Sequence, residues 1–307
     1  MVLGSTKASA CAKARKRHWL PDMTEQRSTE KLPIADWSCV RLPPFSPVAA
    51  KILELINDED ASPDELSKLI SSDQAYASAV LSLANSALYA HRFPVTDVLH
   101  AIHRLGLNNL QGLCMSVAMV RLLGKHLQLL RIRNLWLHNL ACGFIAEKVA
   151  AGTGIDHGSA FTCGVMHDVG RLALCVLQPE EYAHLLETHH GPPASILPFE
   201  KELFGFDHCQ AGHELVLSWT LPGPFDRVVQ THHGPPKNDD LWSLADLINV
   251  SCRMADSVGF AAFPGCEAAA YADLIGELPN KAVGELYPNA ESLATEIQGS
   301  IELMHIS

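Results

Sequence analysis

From residue 42 onward, apolar positions recur at three- and four-residue spacing, and the punctuation between them predicts a run of short helices. Ser46 stands as an N-cap before Pro47, and Val48, Ile52, Leu55 and Ile56 follow on one face. Ser62-Pro63-Asp64-Glu65 combines a cap, a proline at the first turn and an acid three residues on, which is a capping box ahead of Leu66, Leu69 and Ile70. Asp73 opens a third helix through Val80, Leu81 and Ala84, broken near Asn85-Ser86 and again by Pro94. Thr96 is expected to cap a fourth that stops at Gly106, and a fifth runs from about Asn109 to Leu123 and ends at Gly124.

The next stretch is longer. Between Leu129 and Ala151, Leu135, His138, Cys142, Ile145 and Val149 recur at spacings of 3, 4, 3 and 4, a core-facing stripe that contains a histidine. One helical run is expected over 159–176, and shorter ones near 180–188, 198–204, 208–219, 224–233, 241–258 and 267–278. No alternating strand pattern bounded by hairpin turns occurs, so the fold class is all-α. The hexapeptide Thr-His-His-Gly-Pro-Pro appears at 188–193 and at 231–236 without matching flanks, which predicts two similar helix ends and not a solenoid. The expected organisation is a loosely ordered leader over 1–40, a helical half over 41–125, a second half over 126–262 and a helical extension over 263–307.

Composition narrows the class. The 307 residues are 48% hydrophobic and carry a net charge of −11, which argues against a general nucleic-acid binder, since no basic face is available to replace counterions on phosphates. The one basic cluster, Lys13, Arg15, Lys16 and Arg17, reads as a solvated tail. Nine cysteines without a Cys-x-x-Cys pair point to reduced thiols, mostly buried as small hydrophobes, and exclude a zinc ribbon. With no uninterrupted apolar run of about 18 residues and no apolar signal region, a cytoplasmic location and no membrane association are expected.

Sixteen histidines raise the question of which converge. Imidazole and carboxylate are the usual ligands for a borderline divalent metal, provided several reach one point. His138 qualifies by lying on an apolar stripe, although a lone core histidine is more often satisfied by an ordinary partner. His167-Asp168 qualifies because Val165-Met166 and Val169 flank it, and a buried aspartate needs a cation or donors. His208 and the pair His232-His233 complete the candidates, whereas His189-His190 reads as surface.

The successive landmarks Leu42-Pro43-Pro44-Phe45, Ser72-Asp73, Leu83-Ala84-Asn85-Ser86-Ala87-Leu88-Tyr89, Ala101-Ile102-His103-Arg104-Leu105-Gly106, Trp136-Leu137-His138, His167-Asp168-Val169-Gly170-Arg171-Leu172, Phe204-Gly205-Phe206-Asp207-His208 and Trp219-Thr220-Leu221-Pro222 resemble those of an HDOD domain. They span roughly residues 40–260 in order. The resemblance implies a multi-helical fold whose second half corresponds to the helical core of HD metal hydrolases, in a branch generally treated as regulatory. In catalytic relatives a His, a His-Asp pair and a later Asp hold metal that activates water on phosphate esters. His138, His167 and Asp168 match the first three ligands, and His208, His232 and His233 match additional ligands of two-metal relatives.

The last ligand departs from that pattern. Val250-Ser251-Cys252-Arg253-Met254-Ala255 places Cys252 where the Asp is expected, leaving Asp256, one turn on, or Asp246 as substitutes. The Asp-Gly-x-Gly-Tyr-Pro motif of cyclic-di-GMP phosphodiesterases is missing, because Gly-Pro-Pro follows His233. What the resemblance implies is a module of bacterial-type signalling that acts through a protein partner, or through a small-molecule or nucleotide ligand, with any sensor on another chain or in this domain itself. The alternative is a metal-dependent phosphohydrolase, with Asp168 as a catalytic residue and Fe, Mn, Zn or Mg as the metal.

Overall fold

The computed structural model describes residues 45–304 except 57, 59, 87, 88, 90–92, 152, 222, 235–241 and 279–288. The expected leader and Leu42-Pro43-Pro44 lie outside the described residues. Among those described there are fourteen α-helices and no strand, so the chain is all-α. The seven described cysteines are unpaired thiols.

The first half is built on local capping chemistry. Helix α1 (Pro47–Ile56) buries Ala49, Ile52 and Leu53, and Ser46 Oγ accepts from the Ala49 amide. Helix α2 (Pro63–Ser71) carries the complete Ser62–Glu65 capping box, and α3 (Gln74–Ala84) is capped by the Asp73 carboxylate, which accepts from Ala75 N. Helix α4 (Val98–Leu123) corrects two expectations. Its cap is Asp97, whose carboxylate accepts from His100 N at 3.0 Å, and not Thr96. Gly106 adopts φ 76, ψ 162, a region open essentially to glycine alone, so the chain kinks there and resumes the helix where a stop was expected.

The second half follows after a short 3₁₀ turn, with α5 (Leu130–Ala150), α6 (His157–Met166), α7 (Val169–Leu177), α8 (Pro179–Thr188), α9 (Leu197–Phe204), α10 (His208–Ser218), α11 (Gly223–Thr231) and α12 (Leu244–Ser257). Helices α13 (Tyr271–Glu277) and α14 (Ala290–Leu303) close the chain, and α14 packs on α5. The run expected over 159–176 is two helices, because the backbone turns at Asp168, which sits at φ −102, ψ 23. The last predicted run is also shorter, since residues 267–270 are extended coil and the Glu267 amide donates to Gly191 O. By length and composition His157–Leu177 could cross a membrane, and most of that stretch is buried inside the protein.

Three close approaches position the site. Gly143 of α5 and Gly164 of α6 meet so tightly that a Cβ on Gly164 would stand 2.5 Å from Gly143 Cα. A Cβ on Gly170 of α7 would stand 1.9 Å from His208 O and 2.7 Å from Gly212 N of α10. Glycine at these crossings lets backbones touch, which draws His138, the end of α6 and the start of α10 around one point.

Candidate metal centre

His138 rides the buried stripe of α5, whose members Leu135, Cys142, Ile145 and Val149 are all fully buried. His167 and Asp168 occupy the turn between α6 and α7, and His208 opens α10 behind an Asp207–Gln210 capping box. His232 and His233 follow α11 in a turn closed by Gly234 N donating to Thr231 O. Cys252 comes from α12, with its thiol aimed at His138. His138, His167, Asp168, His208 and His232 are each at most 1% exposed, so five side chains from two helices and two turns meet away from water.

Four of the histidines are oriented alike. Nδ1 of His138 donates to Phe260 O at 2.7 Å, that of His167 to Gly164 O at 2.6 Å, that of His208 to Glu200 Oε2 at 2.7 Å and that of His232 to Val228 O at 3.2 Å. An oxygen acceptor takes the hydrogen on Nδ1, so each ring turns Nε2 inward, where that of His208 lies 2.9 Å from His233 Nε2 and that of His138 3.5 Å from Cys252 Sγ. Those of His208 and His232 lie 3.3 and 3.2 Å from Asp168 Oδ1, and that of His167 lies 3.7 Å from Asp168 Oδ2. Lone pairs and a carboxylate facing one another in a buried space repel unless a cation lies among them. Accordingly the Nε2 atoms of His167 and His232 and both Asp168 oxygens have no hydrogen-bond partner.

Among the described residues, the fixed positive charge beside Asp168 is Arg171, fully buried, with Nε 2.9 Å from Asp168 Oδ2 but out of hydrogen-bond alignment. Burial pushes the Asp168 pKa up, and Arg171 together with the histidines outweighs it, leaving the carboxyl well below its ordinary range. Burial lowers the His167 pKa to about 3, with Asp168 opposing and His232 and His138 assisting. Burial, then His232 and His208, hold His233 well below the usual imidazole value. Neutral His167 and His233 imidazoles beside an ionised Asp168 carboxylate are in the donor state a divalent metal requires.

The donors form overlapping groups. His138, His167 and Cys252 offer three atoms all within 4.8 Å of one another, as do His167, Asp168 and His232, while His208, Cys209, His232 and His233 offer four such atoms. The ring centroids of His138 and His167 are 5.3 Å apart, of His167 and His232 5.1 Å, and of His208 and His233 5.0 Å. The residues therefore fit a metal centre, with Asp168 between two ends of one histidine chain.

Not every expected residue turns its donor inward. Asp256 lies behind His138, with Oδ1 3.4 Å from Nδ1 and accepting from Ala262 N, and it belongs to none of the three donor groups. Burial raises its pKa, with His138 opposing. Asp246 is committed to Ser243 in the cap of α12. His189 is 7% exposed, which corrects the surface reading: its Nε2 pairs with Ser195 Oγ at 2.8 Å and its ring packs on Phe199 and Phe263.

Three supporting residues escaped the sequence reading. Glu200, fully buried, accepts from His208 Nδ1, the His208 amide and Tyr182 OH. Asn249 donates to His232 O at 2.7 Å and Gly234 O at 3.0 Å, pinning the turn that carries the histidine pair. Arg171 was visible only as part of a motif. Glu200 had no such signal, because it opens the charged run Glu200-Lys201-Glu202 and reads there as one more solvated residue.

A Treponema pallidum (strain Nichols) protein of uncharacterised function is 28% identical over 208 residues, which cover 65% of this chain and 39% of that protein, so the chain matches well under half of its relative's length. Among solved structures, a Geobacter sulfurreducens HDOD domain protein of unknown function matches with TM-score 0.62 at 21% identity, over 86% of this chain and 92% of that one. A Shewanella amazonensis SB2B protein provisionally named a phosphohydrolase matches with TM-score 0.61 at 23% identity, over 86% and 93%. A Marinobacter aquaeolei VT8 protein provisionally named a signal transduction protein matches with TM-score 0.66 at 23% identity, over 88% and 61%. These likenesses carry the fold. The sequence model of the HDOD domain matches residues 42–235, more than half of the 307, with Cys252 beyond its end, and the chain belongs to the HDOD domain family.

Proposed function

We propose that this HDOD protein is a regulatory module organised around a buried metal centre, acting by binding a protein partner or a small ligand and not by efficient catalysis. The observation that carries the reading is the inward set of Nε2 lone pairs around Asp168, closed from solvent. Such a set supports tight metal binding, because the second nitrogen of each ring is already held by an oxygen. It does not favour turnover, since a phosphate ester must touch the metal and His138, His167, Asp168, His208 and His232 are at most 1% exposed, with His233 the one half-buried member of the set. Replacing a hard carboxylate by Cys252 further disfavours the manganese or magnesium often used in phosphoester chemistry. His138, His167, Asp168, His208, His232 and His233 would hold the metal, with Asp256 orienting His138. A bound metal would tie α5, α7, α10 and α12 together, so its occupancy would bias the surface these helices offer to a partner.

The alternative, a metal-dependent phosphohydrolase, draws support from the adjacent donor groups that share His167 and His232, an arrangement suited to two metal ions. Elemental analysis of the purified protein, followed by turnover of a generic chromogenic phosphodiester with manganese, magnesium and zinc, separates the readings. The expected result is retained metal that His167→Ala loses, with native turnover at the level of the protein-free blank. Robust native turnover abolished by His167→Ala would establish the hydrolase instead, and protein without metal after loading would remove both.

A further inference from the structure

The two ends of the histidine chain each have a cysteine beside them, and one of them also holds a carboxylate. At that end, Asp168, His208, His232 and His233 offer oxygen and nitrogen, with Cys209 in the same donor group. At the other, Cys252 Sγ stands 3.5 Å from His138 Nε2 and within 4.8 Å of the donor atom of His167, whose Nε2 is buried and unpartnered. We infer that Cys252 Sγ is itself a metal ligand and makes the His138–His167 end a zinc-class subsite, selective for a tetrahedral borderline ion over magnesium or manganese.

This rests on the metal-centre reading above and adds the metal's identity to it. Three observations carry it. First, Zn–S and Zn–N bonds of about 2.3 and 2.05 Å at a tetrahedral angle put sulfur and nitrogen about 3.5 Å apart, whereas an octahedral right angle would put them at about 3.1 Å. The observed separation of 3.5 Å, also that of a thiol-to-imidazole hydrogen bond, is compatible with the tetrahedral case. Second, the only nearby α12 carboxylate described, Asp256, is on the Nδ1 side of His138 and holds the Ala262 amide, so the Nε2 side faces sulfur. Third, the outer shell is complete: His138 Nδ1 is anchored on Phe260 O and His167 Nδ1 on Gly164 O, which leaves both Nε2 atoms for the ion. On binding, the Cys252 S–H bond breaks, the proton leaves to solvent, and the sulfur electron pair forms the bond to the metal. Soft thiolate with imidazole favours zinc or cobalt, while hard oxygen-seeking ions lose a ligand they would need.

The test loads the full-length protein with cobalt(II), whose thiolate complexes show a ligand-to-metal charge-transfer absorption in the near ultraviolet, and measures zinc and manganese affinities by competition. The native protein is expected to show that absorption. Cys252→Ser and Cys252→Asp, with native far-ultraviolet circular dichroism, are expected to bind cobalt without it, and Cys252→Asp to shift the zinc-to-manganese preference toward manganese by at least about tenfold. Cobalt bound by the native protein without the charge-transfer band would overturn the assignment while leaving the metal centre standing. A band that survives Cys252→Ser would assign the sulfur elsewhere, to Cys209 first, and equally overturn it. Native protein that binds no cobalt would remove the metal centre as well.

Discussion

In the first helical half Arg121 closes a two-pronged pair on Asp73 at 2.7 and 2.6 Å near the surface, whereas in the second half Arg171 lies 2.9 Å from Asp168 with both side chains buried and unaligned. The first pair is complete. Asp73 also caps α3, Arg121 stacks over Tyr76, and water reaches part of both charged groups. The second pair is incomplete: the guanidinium neutralises a buried carboxylate, yet both carboxylate oxygens and two ring nitrogens stay without hydrogen bonds. The same two residue types thus finish a fold in one half and keep a polar cluster tolerable in the other. Stability resides in the first arrangement, and capacity for a cation in the second.

The largest way to break this comparison is Arg171→Met. Removing one partner of a buried pair leaves an uncompensated charge, typically costing about 3–5 kcal/mol. We expect that loss in urea unfolding of metal-free protein, and a smaller gap with saturating metal, because the added cation takes over the neutralisation and binds only the folded state. A gap that metal does not narrow would show that Arg171 serves packing against Phe263 and not charge balance.

Gly170→Ala comes next. Its Cβ would overlap backbone atoms of His208 and Gly212, which cannot rotate away, so a cost of about 1–3 kcal/mol is expected from overpacking. Because the displaced backbone belongs to His208, bound metal measured by elemental analysis should fall along with the melting temperature. Ser62→Ala, which removes the α2 cap in the first half, is expected to cost about 1 kcal/mol and to leave metal content unchanged. Metal loss in Ser62→Ala would contradict the separation of the two halves' roles.

What the sequence disclosed follows the same division. Ser62, Asp73 and Pro63 were legible because capping acts within three residues, and Thr96 was preferred to Asp97 wrongly because neighbouring cap residues compete and only the backbone decides. The stripe through His138 was legible because helical periodicity is local. Glu200 and Asn249 were not, since the carboxylate meets His208 across a turn and the amide reaches back 17 residues to His232. Helical spacing put Cys252 and Asp256 on one face of α12, but periodicity carries no information about which nitrogen of His138 each would meet. His189 looked exposed because its cover, the segment around Phe263, is remote in sequence.

The smallest expected effect concerns the Arg121–Asp73 pair and isolates charge from capping. Asparagine caps a helix about as well as aspartate, so Asp73→Asn keeps the α3 cap and removes only the ionic part. For a partly solvated pair that part is about 0.2–1 kcal/mol at pH 7 and shrinks in high salt. The hydrogen bond from Arg121, against a small opposing effect of burial, lowers the Asp73 pKa below its ordinary value. A depressed carboxylate pKa means that the unfolded chain binds the proton more readily, so the stabilisation is fully present above the unfolded value of about 3.9. It is lost as pH falls through the folded pKa. Urea unfolding of the native protein and Asp73→Asn should therefore differ at neutral pH and converge in acid, with the gap also closing in about 1 M sodium chloride. A gap that persisted in acid would mean that the ionic part is not what separates the two side chains, and the contrast with the buried Asp168 would then rest on packing, not on charge.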